Sequence, residues 1–99
     1  MNEIEQIKQE LLKLNFNVNS KGILYWIKAI EIIKEYPLKL KMTEIYEDIA
    51  KIYNTTYSRV ERGMRTAIEP AKKNIQNEYG YYKKICNSTF LELIRFKII

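Results

Sequence analysis

Residues 54–65 are NTTYSRVERGMR, a polar turn followed directly by arginines at three-residue intervals. Asn54 tolerates the left-handed backbone conformation in which helices commonly end. Ser58 can cap a new helix, because Glu61 three residues later completes the S-x-x-E capping box, and Thr56 is an alternative cap slightly earlier. The stretch therefore predicts a short turn between two helices, with the arginines on the second helix.

Helical patterns flank this turn on both sides. Downstream, apolar residues at helical spacing predict one buried face, made by Val60, Met64, Ala67, Ile68 and Ala71. Upstream, Thr43 is the expected cap of a helix over 44–53, in which the small Ala50 allows a close helix crossing. Two helices joined by a turn of about four residues form a helix-turn-helix, which is predicted here at approximately 44–69.

The exposed face of the second helix carries hydrogen-bonding groups suited to DNA. Arginine presents a fork of N–H groups that can pair with guanine, and glutamate can accept from the cytosine amine. The candidate base contacts are Arg59, Glu61, Arg62 and Arg65. Hydroxyl groups near a helix N-terminus can donate to phosphate oxygens. The candidate contacts to the DNA backbone from this region are Thr55, Thr56 and Ser58.

The charge balance sets a condition on DNA binding. Residues 42–69 contain four basic and five acidic residues, a net charge of −1, although the whole chain carries +5. Lysines from outside the predicted motif must therefore lie beside the second helix. The lysines expected there, as contacts to the DNA backbone, are Lys72, Lys73, Lys83 and Lys84. In the alternative interpretation, the charged residues form only solvent-exposed ion pairs, such as Glu61 with Arg65 at i, i+4.

The composition excludes several other classes of function. The 99 residues contain no histidine and a single cysteine, Cys86, which excludes the usual zinc sites, cysteine–histidine nucleophiles and internal disulfides. We therefore expect a protein that is not an enzyme and that uses neither a metal nor a cofactor. No apolar run is long enough to cross a bilayer or to form a signal peptide, so no membrane is expected as partner and the expected location is the cytoplasm.

The remaining segments predict an all-α fold. Helices are expected over 3–14 and over 21–36, where Pro37 ends the second, and a last helix is expected to run to about Lys97. The candidate caps of that last helix are Asn87, Ser88 and Thr89. Residues 38–42 are interpreted as a connector.

Pro70 is expected to end or kink the helix near Glu69, because proline lacks an amide hydrogen. Residues 72–84 then show no clear period and are interpreted as a loop with at most one helical turn near Ile75. The expectation is one compact domain of five to six helices over residues 1–99.

Residues 46–69, YEDIAKIYNTTYSRVERGMRTAIE, closely resemble the C-terminal DNA-binding effector domain of stage-zero sporulation protein A, the response regulator that starts sporulation in spore-forming bacteria. The shared elements are DIAK at 48–51, NTT at 54–56, SRVER at 58–62, Arg65, and AIE at 67–69. The similarity extends upstream to Lys21-Gly22 and downstream to Asn87-Ser88 and Phe90, so it covers most of the chain beyond Asn19.

The resemblance implies an all-helical domain of about six helices that binds a short element of double-stranded promoter DNA. It implies base contacts from Arg59, Glu61, Arg62 and Arg65, binding as adjacent copies or a homodimer, and contact with RNA polymerase sigma factor. Residues 1–20 are too short to form the receiver domain of the family protein, so a free-standing effector domain is expected. Gly63 stands where the family has alanine, and Pro70 interrupts a helix that continues in the family.

A second hypothesis comes from the apolar C-terminal sequence FLELIRFKII, residues 90–99. An exposed apolar end favours a protein–protein interaction module that dimerises with or antagonises a full-length regulator. The alternative is that these residues close the core of the domain itself.

Overall fold

The computed structural model describes residues 2–36 and 41–98, and these residues form six α-helices and no strand. The helices are α1 (Glu3–Lys13), α2 (Gly22–Glu35), α3 (Met42–Ile52), α4 (Tyr57–Ile68), α5 (Lys72–Tyr79) and α6 (Asn87–Ile98). The predicted all-α class is confirmed. Pro37 and most of the predicted connector 38–42 lie outside the described residues.

The centre of the core is α2, which is apolar around most of its circumference. Trp26 is fully buried, and its ring packs edge-on against Phe16 at 5.6 Å and against Phe90 at 5.3 Å between ring centroids. These contacts join α2 to the chain after α1 and to α6, and such aromatic pairs stabilise a core beyond their buried area. Leu24 of the same helix is exposed.

Helix ends differ from the predictions in two places. Thr43 is not a cap, because α3 already begins at Met42 after Lys41, whose backbone is extended. The last helix begins at Asn87, so none of the three candidates Asn87, Ser88 and Thr89 precedes it as a cap, and the N–H of Phe90 donates to the carbonyl oxygen of Cys86 at 3.1 Å. The cap predictions were wrong because a preferred cap contributes only about 1 kcal/mol, whereas most of the stability of a helix in a protein comes from the packing of its apolar face.

The predicted loop over 72–84 is wrong for its first half, which forms α5. Pro70 does end α4, and a 3-10 turn over Glu69–Ala71 leads directly into α5. Ala71 and Ile75 are buried and Tyr79 is half-buried, so they form an apolar stripe at i, i+4 and i+8 that supports the helix. The helix ends at Gly80, whose φ of 63° is the left-handed conformation that suits glycine.

A close backbone contact joins the beginning of α2 to the middle of α4. A Cβ atom added to Gly22 would lie 1.8 Å from the carbonyl oxygen of Gly63, so only a residue without a side chain fits there. A Cβ added to Gly63 would lie 3.0 Å from the ring of Tyr25, which is a much milder contact. This crossing places the residues just before α2 beside the exposed face of α4.

Candidate nucleic-acid interface

A four-residue turn, residues 53–56, connects α3 to α4. Asn54 has a φ of 51°, as expected for a residue that ends a helix in the left-handed conformation. The N–H of Thr55 then donates to the carbonyl oxygen of Ala50 at 2.9 Å, which satisfies an acceptor at the end of α3. The turn is therefore held by backbone hydrogen bonds, which fix the angle at which α4 leaves α3.

Thr56, not Ser58, caps α4. The Thr56 hydroxyl oxygen accepts from the N–H of Arg59 at 3.2 Å, while Ser58 lies inside the first turn of the helix. The sequence offered both residues as caps without deciding between them, and the structure selects Thr56. Because the Thr56 hydroxyl only accepts a hydrogen bond in the cap, its O–H is still available to donate to another group.

Aromatic contacts hold the turn against the core on both sides. The ring of Tyr57 packs edge-on against that of Tyr46 of α3 at 5.1 Å, and the ring of Tyr53 packs against that of Tyr25 of α2 at 5.5 Å. The turn is consequently attached to two helices.

One face of α4 is entirely enclosed. Val60, Met64, Ala67 and Ile68 are fully buried, as predicted. Trp26 donates its indole N–H to the carbonyl oxygen of Met64 at 2.8 Å, which ties the middle of α4 to α2. An α-helix with one face fixed in the core must present its opposite face to solvent in a defined orientation.

A second tether joins α4 to the beginning of α6. The side-chain amide of Asn87 donates to the Tyr46 hydroxyl at 3.0 Å and, more weakly, to the carbonyl oxygen of Glu61 at 3.4 Å. Asn87 is buried. Burial raises the pKa of the Tyr46 hydroxyl, although the hydrogen bond from Asn87 opposes this shift. The start of α6 is therefore part of the support for α4.

The predicted base contacts divide into two groups on the exposed face of α4. Arg59 and Arg62 are exposed and form no salt bridge within residues 2–36 and 41–98. Arg65 is also exposed, at 61% of its side chain, but its Nε lies 3.3 Å from a carboxylate oxygen of Glu61. The ion-pair interpretation is thus correct for Arg65 and Glu61 and does not apply to the other two arginines.

The lysines predicted to flank α4 are placed differently from one another. Lys72 and Lys84 line a groove of about 430 Å³ together with Arg65, and Lys72 forms an ion pair with Glu69 at 2.9 Å. Lys73 and Lys83 are exposed but do not line this groove. Because Glu61 and Glu69 line the same groove, its positive charge is largely balanced.

A residue that the sequence did not single out lies on the other flank of α4. Lys21, which immediately precedes α2, lines a groove of about 300 Å³ with Arg59, Arg62 and Thr55. The hydroxyl of Ser20, in the same groove, accepts from the N–H of Gly22 at 2.9 Å. The only sequence signal for this placement was the Lys-Gly pair at 21–22, and nothing in its local pattern connects it to α4, which lies about 40 residues further along the chain.

Cys86 lies at the start of α6, at the edge of the groove that contains Lys72 and Lys84. Burial alone would raise the pKa of its thiol, but hydrogen bonds from the side chains and backbones of Ser88 and Thr89 outweigh this and lower the pKa to about 7. In the part of the chain that the structure describes, no three histidine, cysteine or acidic residues are grouped as a metal site. None of the described helices is both long enough and apolar enough to span a membrane.

The sequence shows which family these features belong to. Residues 7–98 match the family described as Sporulation initiation factor Spo0A C terminal. This family is the DNA-binding effector domain of a response regulator that controls transcription in sporulation. Since the match covers nearly the whole chain, the protein is a member of this family.

Proposed function

We propose that this protein binds double-stranded DNA sequence-specifically, with α3 and α4 acting as a helix-turn-helix and α4 entering the major groove. The observation that carries the proposal is the state of Arg59 and Arg62. Both are exposed and free of carboxylate partners among the described residues, on a helix whose opposite face is fixed in the core. A guanidinium group in that state can pair with guanine without first breaking an intramolecular bond.

Arg65 and Glu61 can join the interface at small cost. An exposed i, i+4 ion pair stabilises a helix by only about 0.2–0.5 kcal/mol, whereas a good bidentate contact to a base contributes about 1–3 kcal/mol of discrimination. Exchanging the Glu61 partner for guanine is therefore favourable for Arg65, and the released carboxylate can accept from cytosine. Arg65 and Glu61 would thus form an ion pair in the free protein and contact bases in the complex.

The beginning of α4 is suited to the DNA backbone. Thr55 and Ser58 carry hydroxyl groups near the helix N-terminus, where the helix dipole favours a phosphate. Thr56 can also donate its O–H to a phosphate, because its hydroxyl acts only as an acceptor in the cap. Lys72 and Lys84 would contact phosphates on the Arg65 side, while Lys73 and Lys83 would act only through their charge at longer range.

The direct test is a titration of two labelled duplexes, one carrying the promoter element bound by the family and one with that element scrambled, at fixed salt. The wild-type protein should prefer the first duplex. Arg62→Ala should reduce the affinity for it by about 1–3 kcal/mol and weaken the preference. Arg62→Lys is the matched control: it keeps the charge, so binding to the scrambled duplex persists, but it loses the planar fork.

Equal affinity of the wild-type protein for both duplexes would show that it does not contact bases specifically. Full retention of base preference by Arg62→Lys would show that Arg62 acts only through its charge. In that case the role assigned to its fork is wrong, even if the protein binds DNA.

A second candidate function, a protein–protein interaction module, is favoured by one observation. Phe96, near the end of α6, is 77% exposed, although Phe90, Leu91 and Ile94 of the same helix are buried. The apolar C-terminus thus closes the core only in part. Sedimentation at several protein concentrations, for the wild type and for Phe96→Ser, tests whether Phe96 mediates self-association. A strict monomer that binds DNA tightly would speak against this module.

Binding as adjacent copies and contact with RNA polymerase sigma factor stay predictions of the resemblance.

A further inference from the structure

The groove between the start of α2 and α4 contains only positive and hydroxyl-bearing polar groups. Its cations are Lys21, Arg59 and Arg62, and no carboxylate of residues 2–36 and 41–98 lines it. The opposite flank of α4 is different, because Glu61 and Glu69 lie in that groove and pair with two of its three cations, Arg65 and Lys72. The uncompensated positive charge beside α4 is thus concentrated on the α2 side.

Lys21 is held in this groove by contacts of its own segment with α4. The N–H of Asn17 donates to the carbonyl oxygen of Ala67 at 3.0 Å, and Gly22 packs directly on the backbone of Gly63. Lys21 lies between these two attachment points, so its backbone position relative to α4 is fixed. Its side chain is exposed and has no ion pair within the described parts of the chain.

The group that is free to bind an anion here is the ammonium group of Lys21, and not the N-terminus of α2. The first amides of α2 already have partners: the N–H of Gly22 donates to the Ser20 hydroxyl, and the N–H of Ile23 donates to the Ser20 carbonyl oxygen at 3.2 Å. These amides are therefore not available for an anion. The lysine side chain supplies three donors and a full charge, which no carboxylate among the described residues pairs with.

We propose that Lys21 binds a phosphate of the DNA backbone, so that the start of α2 acts as a clamp beside the recognition helix. The inference rests on the proposed function, since it places the same duplex against a second element. Phosphate contacts carry no base information but fix the register and orientation of a protein on the duplex. With Lys21 and α4 joined rigidly at Gly22, a phosphate bound at Lys21 sets how Arg59 and Arg62 enter the groove.

The test compares Lys21→Ala with Lys34→Ala, which removes the same charge from the other end of α2, about 19 Å away along the helix axis. Lys34 pairs with Glu3 and takes no part in the proposed interface. Affinities for the specific and scrambled duplexes are measured from 50 to 200 mM salt. Lys21→Ala should lower both affinities by the same factor and reduce the slope of log K against log salt by about 0.9, the value for one phosphate. The ratio of the wild-type affinity to the Lys21→Ala affinity should therefore fall about 3.5-fold between the lowest and the highest salt concentration. The slope for Lys34→Ala should equal that of the wild type.

Phosphate identity is tested with duplexes in which single phosphates are replaced by neutral methylphosphonates. At one position, the replacement should lower the affinity of the wild type for the duplex and leave the affinity of Lys21→Ala unchanged. A salt slope for Lys21→Ala equal to that of the wild type would overturn the clamp and leave the proposed function standing. If Lys21→Ala shows the reduced salt slope but the wild type binds both duplexes equally, only the proposal of specific recognition is overturned. Absence of any DNA binding by the wild type would overturn both.

Discussion

The packing of α2 against α4 predicts that Gly22→Ala is far more damaging than its small size suggests. The added Cβ would lie 1.8 Å from the carbonyl oxygen of Gly63, about 1.6 Å short of the 3.4 Å at which ordinary contact begins. The position of a Cβ is fixed by the backbone and the Gly63 oxygen is itself a backbone atom, so no side-chain rotation can relieve the overlap. The two helices must move apart at their point of closest approach.

The magnitude follows from the cost of overpacking, which is typically 1–3 kcal/mol. Because two helices must shift, we expect Gly22→Ala to lower the free energy of unfolding by about 3 kcal/mol. For a domain of this size that corresponds to a fall in Tm of about 12–24 °C. The measurement is thermal and urea unfolding, followed by circular dichroism.

Two other glycines provide matched controls for the same substitution. Gly63→Ala gains about 1 kcal/mol of helix propensity, which the crowding against the Tyr25 ring at 3.0 Å offsets, so its Tm should stay near that of the wild type. Gly80→Ala meets no atom within 4 Å but places alanine at a φ of 63°, which costs about 1 kcal/mol. If Gly22→Ala were no less stable than Gly80→Ala, the close contact between α2 and α4 would be refuted.

Two further predictions concern the supports of α4. Trp26→Phe removes the donor to the Met64 carbonyl and leaves a small cavity at a fully buried site. The free energy of unfolding, measured by urea titration, should therefore fall by about 2 kcal/mol. An unchanged value would contradict the tether between α2 and α4. Cys86 should react with iodoacetamide with a pH midpoint of about 7, since its thiolate accepts hydrogen bonds from Ser88 and Thr89. Ser88→Ala should move the midpoint upward, and a wild-type midpoint near the ordinary value of 9.0 would contradict this assignment.

Local patterns in the sequence predicted much of the α3–α4 unit. The buried face of α4, the left-handed Asn54 and the break at Pro70 all follow from interactions within a few residues, namely helical spacing, backbone preference and the missing N–H of proline. The helix α5 was missed because its stripe, Ala71, Ile75 and Tyr79, is narrow and is surrounded by polar residues.

The candidate site was less accessible to sequence reasoning than the fold. Arg62 and Arg65 look equivalent in the sequence, yet one is free of carboxylates among the described residues and the other pairs with Glu61. Spacing alone allows the Glu61–Arg65 pair but does not show whether Arg62 finds a partner from another helix. Similarly, Lys83 and Lys84 are neighbours in the sequence, but only Lys84 lines the groove beside α4.

The sequence by itself determined the helical class, the two helices with their turn, and the arginine-bearing face of α4, because these depend on periodicity and on backbone preferences within one or two helical turns. Only the tertiary structure decided which cations surround that face. Lys21 comes to lie beside Arg62 because two glycines about 40 residues apart let the backbones of α2 and α4 touch. A contact of that kind depends on how whole helices pack, and no local spacing in the sequence encodes it.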